Sequence, residues 1–153
     1  MAAILPYEGR GDRVSKHRER YAWWGYIKNI IRRYPQLRAE HEAALSPSAT
    51  ADYSGDPHGS GISRPVEQAV IRAASAGTYE EFAAVDRAIR AAQALPNGAE
   101  TLRLIDLLFW RQTHTLHGAA SVVHVSTMTA RRRVANFIVA VAAERGLIEK
   151  RES

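Results

Sequence analysis

The sequence predicts an all-α protein, a helical bundle with a C-terminal helix-turn-helix. Along most of the 153-residue chain, apolar residues recur at spacings of three, four or seven, as one face of an α-helix requires. Residues that typically begin or end helices interrupt this pattern at Gly77, Thr78, Pro96, Asn97 and Gly146. Nowhere does a sustained apolar/polar alternation with β-branched side chains indicate a strand. We therefore expect about six helices and no β-sheet.

The first predicted region, residues 12–45, is basic and aromatic. Its apolar and aromatic residues share one helical face from Asp12 to Tyr34: Val14, Tyr21, Trp24, Ile27, Ile31 and Tyr34. Pro35 predicts a break after Tyr34, because the residue before a proline disfavours the α conformation. A second short helix is expected after the break. Residues 46–62 are rich in Ser, Gly, Pro and Asp, which predicts a flexible linker.

Residues 63–148 form a predicted helical domain, and several of its helix boundaries have recognisable signals. Pro65 suits the first turn of a helix, and Gly77 suits a left-handed residue that ends it. Thr78 begins a capping-box pattern, since a glutamate follows three residues later, and it predicts the start of a new helix. Asn97 repeats that pattern and predicts the start of the helix that follows.

Residues 115–145 predict the helix-turn-helix. A short helix from Thr115 to His124 precedes a tight connection at Val125-Ser126 and a longer helix from Thr127 to Arg145. In such motifs the start of the second helix reaches base edges, where hydroxyl and guanidinium groups bond to bases and phosphates. The predicted DNA-binding residues are Ser126, Thr127, Met128, Thr129, Arg131, Arg132 and Arg133. Adjacent arginines on a helix point in different directions, and we expect Arg133 to matter least.

The charge distribution favours a polyanionic partner. The chain has 21 Lys+Arg and 16 Asp+Glu, and therefore a net charge of +5. Residues 1–45 and 111–153 each have a net charge of +4, whereas residues 46–110 have −3. Cations that neutralise phosphates release counterions, which favours binding to nucleic acid. The alternative explanation is an ordinary solvated surface with a small excess of positive charge. Helical hairpins with adjacent arginines also occur in proteins that never bind DNA.

No motif in the chain indicates catalysis, a metal or a cofactor. There is no Gly-rich phosphate loop, no HExxH and no nucleophile elbow, and the absence of cysteine excludes disulfides and thiolate ligands. His114 and His117 lack a carboxylate at ligand spacing, and Asp52 and Asp56 lie in the predicted linker. The longest apolar stretch, residues 134–143, is too short to span a membrane, and no signal peptide is recognisable. We expect a cytoplasmic, non-enzymatic protein without cofactor.

The order of these pieces resembles RinA-like and ArpU-like phage transcriptional regulators, whose carboxy-terminal end is similar to the region-four helix-turn-helix of sigma factors. The resemblance lies in four segments over nearly the whole chain: residues 21–37, which include Tyr34-Pro35; the loop leading into 64–69; residues 85–110, which end in Phe109-Trp110; and residues 119–129 with the arginine run that follows. It implies a phage or prophage regulator that activates late genes by binding double-stranded DNA near a promoter. Such a protein would act in the cytoplasm of a bacterial host, with RNA polymerase as a further candidate partner.

We also expect a homo-oligomer, specifically a dimer, because paired half-sites raise the affinity of such modules. The candidate contact residues are Trp23, Trp24, Ile30, Ile138, Val139 and Ala142. Two other functions remain open: a small terminase-like subunit for DNA packaging, and a helical assembly or adaptor protein that does not bind DNA. The polar, arginine-bearing start of the helix at Thr127 favours DNA binding, because an adaptor would more naturally place apolar anchors there.

Overall fold

The computed structural model describes residues 21–45 and 64–149, with side chains described at 21–45 and 75–149. It contains five α-helices and one π-helical turn: α1 (Ala22–Leu45), α2 (Arg64–Gln93), α3 (Gly98–Ile105), the π-helical turn (Asp106–Trp110), α4 (Leu116–Val123) and α5 (Thr127–Glu144). No strand occurs in these two ranges, so the predicted all-α class is confirmed. The predicted linker at 46–62 and the predicted helix before Tyr21 lie outside the described residues.

Two apolar clusters hold the helices together. The larger one joins α1, α2, the last residue of α3, the π-helical turn and the second half of α5. Its buried members include Ile27, Ile31, Val85, Phe109, Phe137, Ile138 and Val141. The smaller one joins α3, the π-helical turn, α4 and the first turn of α5 through Leu104, Leu107, Ala119, Ala120 and Ala130. Because α5 belongs to both clusters, the larger cluster fixes its direction and the smaller one fixes its first turn against α4.

Helix α1 continues through Pro35, so the predicted break after Tyr34 was wrong. Proline lacks the N–H that would bond to the carbonyl of Ile31, four residues earlier. The indole Nε1 of Trp110, in the π-helical turn, donates to that carbonyl at 3.0 Å instead. Ile31 is completely buried, so water cannot reach its carbonyl. A hydrogen bond from a distant part of the chain therefore replaces the one that proline removes.

Helix α2 runs without interruption from Arg64 to Gln93, so the predicted end at Gly77 and the predicted N-cap at Thr78 were also wrong. Gly77 does not adopt a left-handed conformation, and a Cβ placed there would meet nothing within 4 Å. Glycine inside a helix costs only about 1 kcal/mol relative to alanine, which the apolar face of the second half of α2 offsets. The carboxylate of Glu81 does not close a capping box, but accepts a hydrogen bond of 3.0 Å from the hydroxyl of Tyr26.

The turn between α2 and α3 depends on a glycine. The predicted helix start at Asn97 is confirmed, although its side chain makes no capping hydrogen bond. Gly98 is buried, and a Cβ at this position would overlap the backbone carbonyl of Ala92. Only glycine allows the two helices to approach this closely.

Three of the predicted dimer contacts are buried inside the chain. Ile30, Ile138 and Ala142 expose 1%, 2% and 0% of their surface, so they are not available to a second copy. Their assignment to an interface was wrong, because the larger cluster uses them. Trp23, Trp24 and Val139 are half-buried. None of the helices within the described ranges has the length and apolar character needed to cross a membrane.

Candidate nucleic-acid interface

Local signals fix both ends of α4. The Oγ1 of Thr115 accepts a hydrogen bond from the backbone N–H of Gly118 at 3.2 Å, which caps the start of the helix. At its end, His124 adopts the left-handed conformation, with φ 61° and ψ 41°. The N–H of His124 then donates to Ser121 and that of Val125 to Ala120, the two hydrogen bonds of a Schellman motif. Glycine usually occupies this left-handed position, and histidine is one of the residues that tolerate it.

Ser126 starts α5 directly after this stop. Its backbone is extended, and its Oγ accepts the N–H of Thr129 at 3.0 Å and donates to the Oγ1 of Thr129 at 2.9 Å. Only residues 124–126 therefore separate the two helices. At the other end of α5, Gly146 has φ 79° and the N–H of Leu147 donates to Ala142, which confirms the predicted stop at Gly146.

The hydroxyl of Thr127 is tied to the neighbouring helix. Its Oγ1 lies 3.0 Å from Nδ1 of His117, an exposed residue near the start of α4. Together with the cap formed by Ser126 and Thr129, this contact occupies the hydroxyl groups of three predicted site residues. Those hydroxyls orient the start of α5 relative to α4.

The remaining four predicted residues differ in their partners. Arg133 donates to the carboxylate of Glu100 on α3, and its side chain is only 18% exposed. Met128 is 66% exposed, and both Arg131 and Arg132 are exposed. The expectation that Arg133 faces away from its two neighbours is consistent with this ion pair. Met128, Arg131 and Arg132 thus form the outward surface of the first turns of α5.

Arg131 and Arg132 differ from the other arginines with described side chains. Eight of the others pair with carboxylates: Arg33, Arg38, Arg87, Arg90, Arg103, Arg111, Arg133 and Arg145. The guanidinium of Arg32 lies 5.7 Å from the centre of the Phe109 ring. Within this part of the chain, only Arg131 and Arg132 have neither a carboxylate nor an aromatic partner. Residues 111–143 contain no Asp or Glu, so these two charges add to the positive end of the α5 dipole.

At the opposite end of α5, the charge of Arg145 is compensated by neighbouring groups. Arg145 donates from Nε to the hydroxyl of Tyr26 at 3.1 Å and from Nη1 to the carboxylate of Glu80 at 3.0 Å. The hydrogen bond to Tyr26 is the main cause that raises the pKa of this guanidinium. Arg145 therefore links α5 to α1 and α2, and it is not available to a ligand in the way that Arg131 and Arg132 are.

The sequence prediction missed two residues of this surface. Asn136 is exposed and follows Arg132 by four residues, so it continues the same helical face. That spacing was a signal from which Asn136 could have been found. His117 was considered in the sequence as a metal ligand, and its contact with Thr127 could not be read from the sequence. We call Met128, Arg131, Arg132 and Asn136 the outer stripe of α5.

An open groove of about 600 Å³ lies between α1 and α2. The hydroxyl of Tyr34 donates to the carboxylate of Asp86 at 3.1 Å on its wall. Burial, and then this hydrogen bond, raise the pKa of Tyr34 to about 12. The arginines that line the groove are already paired, Arg38 with Glu42 among them. Over the described side chains, no group of three His, Asp or Glu residues is placed to hold a metal ion.

Comparison with known proteins adds no relative. No protein-family model matches the chain. No curated protein matches it at a significant level. No solved structure matches it either.

Proposed function

We propose that the protein is a DNA-binding transcriptional regulator that inserts the first half of α5 into the major groove. The observation that carries the proposal is the lack of any described partner for Arg131 and Arg132, while the other arginines with described side chains are engaged. An uncompensated pair of guanidinium groups beside a positive helix end favours phosphate binding. The exposed Met128 supplies an apolar contact suited to a thymine methyl group.

The arrangement of α4 and α5 supports this mode of binding. The major groove admits one α-helix, and the residues at its amino-terminal end are those that reach base edges. The outer stripe of α5 is exposed along its length, whereas the opposite face packs in both apolar clusters. Helix α4 and the caps at Thr115 and Ser126 hold the start of α5, so little conformational freedom is lost on binding.

The resemblance to RinA-like and ArpU-like regulators extends the proposal. On that basis the protein activates phage or prophage late genes in the cytoplasm of a bacterial host. It binds as a homodimer to paired half-sites, in contact with RNA polymerase. The residues that form the dimer interface lie outside the larger cluster, since Ile30, Ile138 and Ala142 are buried in it.

Fluorescence anisotropy with two labelled duplexes tests the proposal. One duplex carries the native region upstream of the regulated gene, and the other is unrelated and of equal length. If Arg132 makes a bidentate base contact, Arg132→Ala should weaken binding to the first duplex by about 1–3 kcal/mol and reduce the preference for it. If Arg132 contacts only phosphate, binding to both duplexes should weaken. The slope of log K against the logarithm of the salt concentration should then become shallower by about one. Arg131→Ala is tested in the same way.

Arg38→Ala is the matched control. It removes the same charge from an exposed arginine on α1, which pairs with Glu42 and lies outside the outer stripe of α5. Arg38→Ala should leave affinity unchanged within about twofold, because Arg38 is already paired with Glu42 and makes no phosphate contact in the proposed complex. Unchanged affinity in Arg131→Ala and Arg132→Ala as well, with all variants folded by circular dichroism, would refute the role of α5 and favour an assembly protein.

A further inference from the structure

A single hydrogen bond joins the two helices at the proposed DNA interface. It connects Nδ1 of His117 on α4 with Oγ1 of Thr127, the first residue of α5, at 3.0 Å. His117 is exposed and Thr127 is half-buried. Of the predicted site residues with hydroxyls, Thr127 is the one whose hydroxyl bonds to an imidazole, a side chain that can gain a proton.

The direction of this hydrogen bond depends on the tautomer and on the charge of the imidazole. In the neutral tautomer that carries its proton on Nε2, Nδ1 accepts, and the hydroxyl hydrogen of Thr127 points at His117. The imidazolium can only donate through Nδ1, so the Oγ1 of Thr127 becomes the acceptor. The hydroxyl hydrogen then turns away from His117 and can be donated to an oxygen of a phosphate or a base.

Among the residues that the structure describes, no carboxylate forms an ion pair with His117, so its positive form has no counterion there. On α5, Arg131 lies four residues after Thr127 and adds positive charge to the same side. On α3 and the π-helical turn, Arg103 pairs with Asp106. The other charged groups on these elements are paired too: Arg133 with Glu100, and Arg111 with Asp106. Arg132, one residue further along α5, has no described partner.

Two other histidines flank this helix pair. The Nδ1 of His114 lies 2.8 Å from the Oγ1 of Thr113, and His124 occupies the left-handed position at the end of α4. Neither is bonded to a predicted DNA-binding residue. They therefore serve as controls for the effect of His117.

We infer that His117 is a positioning residue of this interface, whose protonation turns the Thr127 hydroxyl toward DNA and strengthens binding as the pH falls. The inference rests on the proposed function. It predicts that one proton is taken up with the duplex, so that Kd falls by up to about tenfold per pH unit across the histidine titration. The added positive charge also makes the slope of log K against the logarithm of the salt concentration steeper by about one at the lower pH.

Duplex binding measured between about pH 6 and pH 8 at fixed ionic strength tests this inference. His117→Asn keeps a polar group near the position of Nδ1 but cannot become charged, and it should abolish most of the pH dependence. Thr127→Val keeps the shape of the side chain without its hydroxyl. It should weaken binding at the lower pH and make the change of Kd with pH smaller than in the wild type, because the hydroxyl that protonated His117 turns toward DNA is absent. His114→Asn and His124→Asn should behave like the wild type.

The outcomes separate this inference from the proposed function. Wild-type binding that does not change with pH overturns the inference and leaves the proposed function standing. So does pH dependence that survives in His117→Asn, or that disappears in His124→Asn or His114→Asn instead. A wild-type protein that binds neither duplex at any pH overturns the proposed function, and this inference with it.

Discussion

Replacing Trp110 with phenylalanine should destabilise the protein, because it removes the donor that serves the carbonyl of Ile31. That carbonyl has lost its helical partner to Pro35, and Ile31 exposes no surface to water. A buried acceptor left without a donor costs about 1–3 kcal/mol. The smaller ring also loses packing against Tyr34, whose ring centre lies 5.7 Å away. The single variant therefore mixes two effects.

A double-mutant cycle with Pro35→Ala separates them. Alanine at position 35 restores the backbone N–H that bonds to Ile31 in an ordinary α-helix, so the carbonyl no longer depends on Trp110. Pro35 is exposed, and its replacement leaves the packing around the indole intact. The packing loss in Trp110→Phe is then equal in both backgrounds. The hydrogen-bond loss appears only with Pro35, as a coupling energy of about 1–2 kcal/mol.

Urea denaturation followed by far-UV circular dichroism gives the four free energies of unfolding, with equal m-values as the check that all variants unfold alike. Tryptophan fluorescence is unsuitable as the probe, since one of the cycle's substitutions removes a tryptophan. If Trp110→Phe costs the same in both backgrounds, to within about 0.5 kcal/mol, the indole does not substitute for the missing N–H of Pro35. The continuity of α1 would then need another explanation.

Four further predictions concern stability and are measured by the same urea titrations. As the pH rises from 10 to about 12, the wild type should lose up to about 2–3 kcal/mol more than Tyr34→Phe, because the hydroxyl ionises first in the unfolded chain; parallel pH profiles would contradict this. Gly98→Ala should cost about 1–3 kcal/mol through backbone overlap, whereas Gly77→Ala should gain about 0.5–1 kcal/mol; equal effects would contradict the difference in their surroundings. Ser126→Ala should cost about 1 kcal/mol by loss of the α5 cap, and an unchanged midpoint would show that the cap adds nothing. His124→Gly should gain about 1 kcal/mol by relieving the left-handed conformation, and destabilisation would indicate that the imidazole has a structural role.

The helix boundaries that were correctly predicted are those that local chemistry determines. Ser126 and Gly146 each satisfy backbone groups, or adopt a conformation, within a few residues of their own position. Asn97 also marks a helix start, although its side chain makes no capping hydrogen bond. A single sequence contains all the information that such a cap requires. The all-α class follows for the same reason, because the helical spacing of apolar residues is local too.

The two mistaken helix breaks have the opposite cause. Pro35 and Gly77 both weaken a helix locally, yet α1 and α2 continue through them. At Pro35 the compensating donor comes from Trp110, which is 75 residues away in sequence. At Gly77 no strain has to be relieved, and the apolar face of α2 extends into the larger cluster. Neither compensation can be read from local propensity, because tertiary packing overrides it.

The predicted site residues lie close together, but the sequence could not tell which of them are free. It treated seven of the eight residues from Ser126 to Arg133, all except Ala130, as one group because they lie at the start of the second helix of a motif. Their partners differ, since Arg133 is held by Glu100, which is 33 residues earlier. Thr127 is held by His117 across the turn between α4 and α5. Ion pairs and hydrogen bonds between helices depend on the packing angle, which helical periodicity alone does not specify.

The net charge of +5 is therefore a weaker argument for DNA binding than the distribution of paired and unpaired charge. Most described arginines are neutralised by a nearby carboxylate, and exposed pairs of this kind present little field to a ligand. Because residues 111–143 have no acid of their own, compensation for this segment must come from elsewhere, as it does from Glu100 for Arg133 and from Asp106 for Arg111. No such partner reaches Arg131 or Arg132 among the described residues. Among the arginines with described side chains, unpaired charge is thus concentrated on the exposed first turns of α5, where a helix entering the major groove would need it.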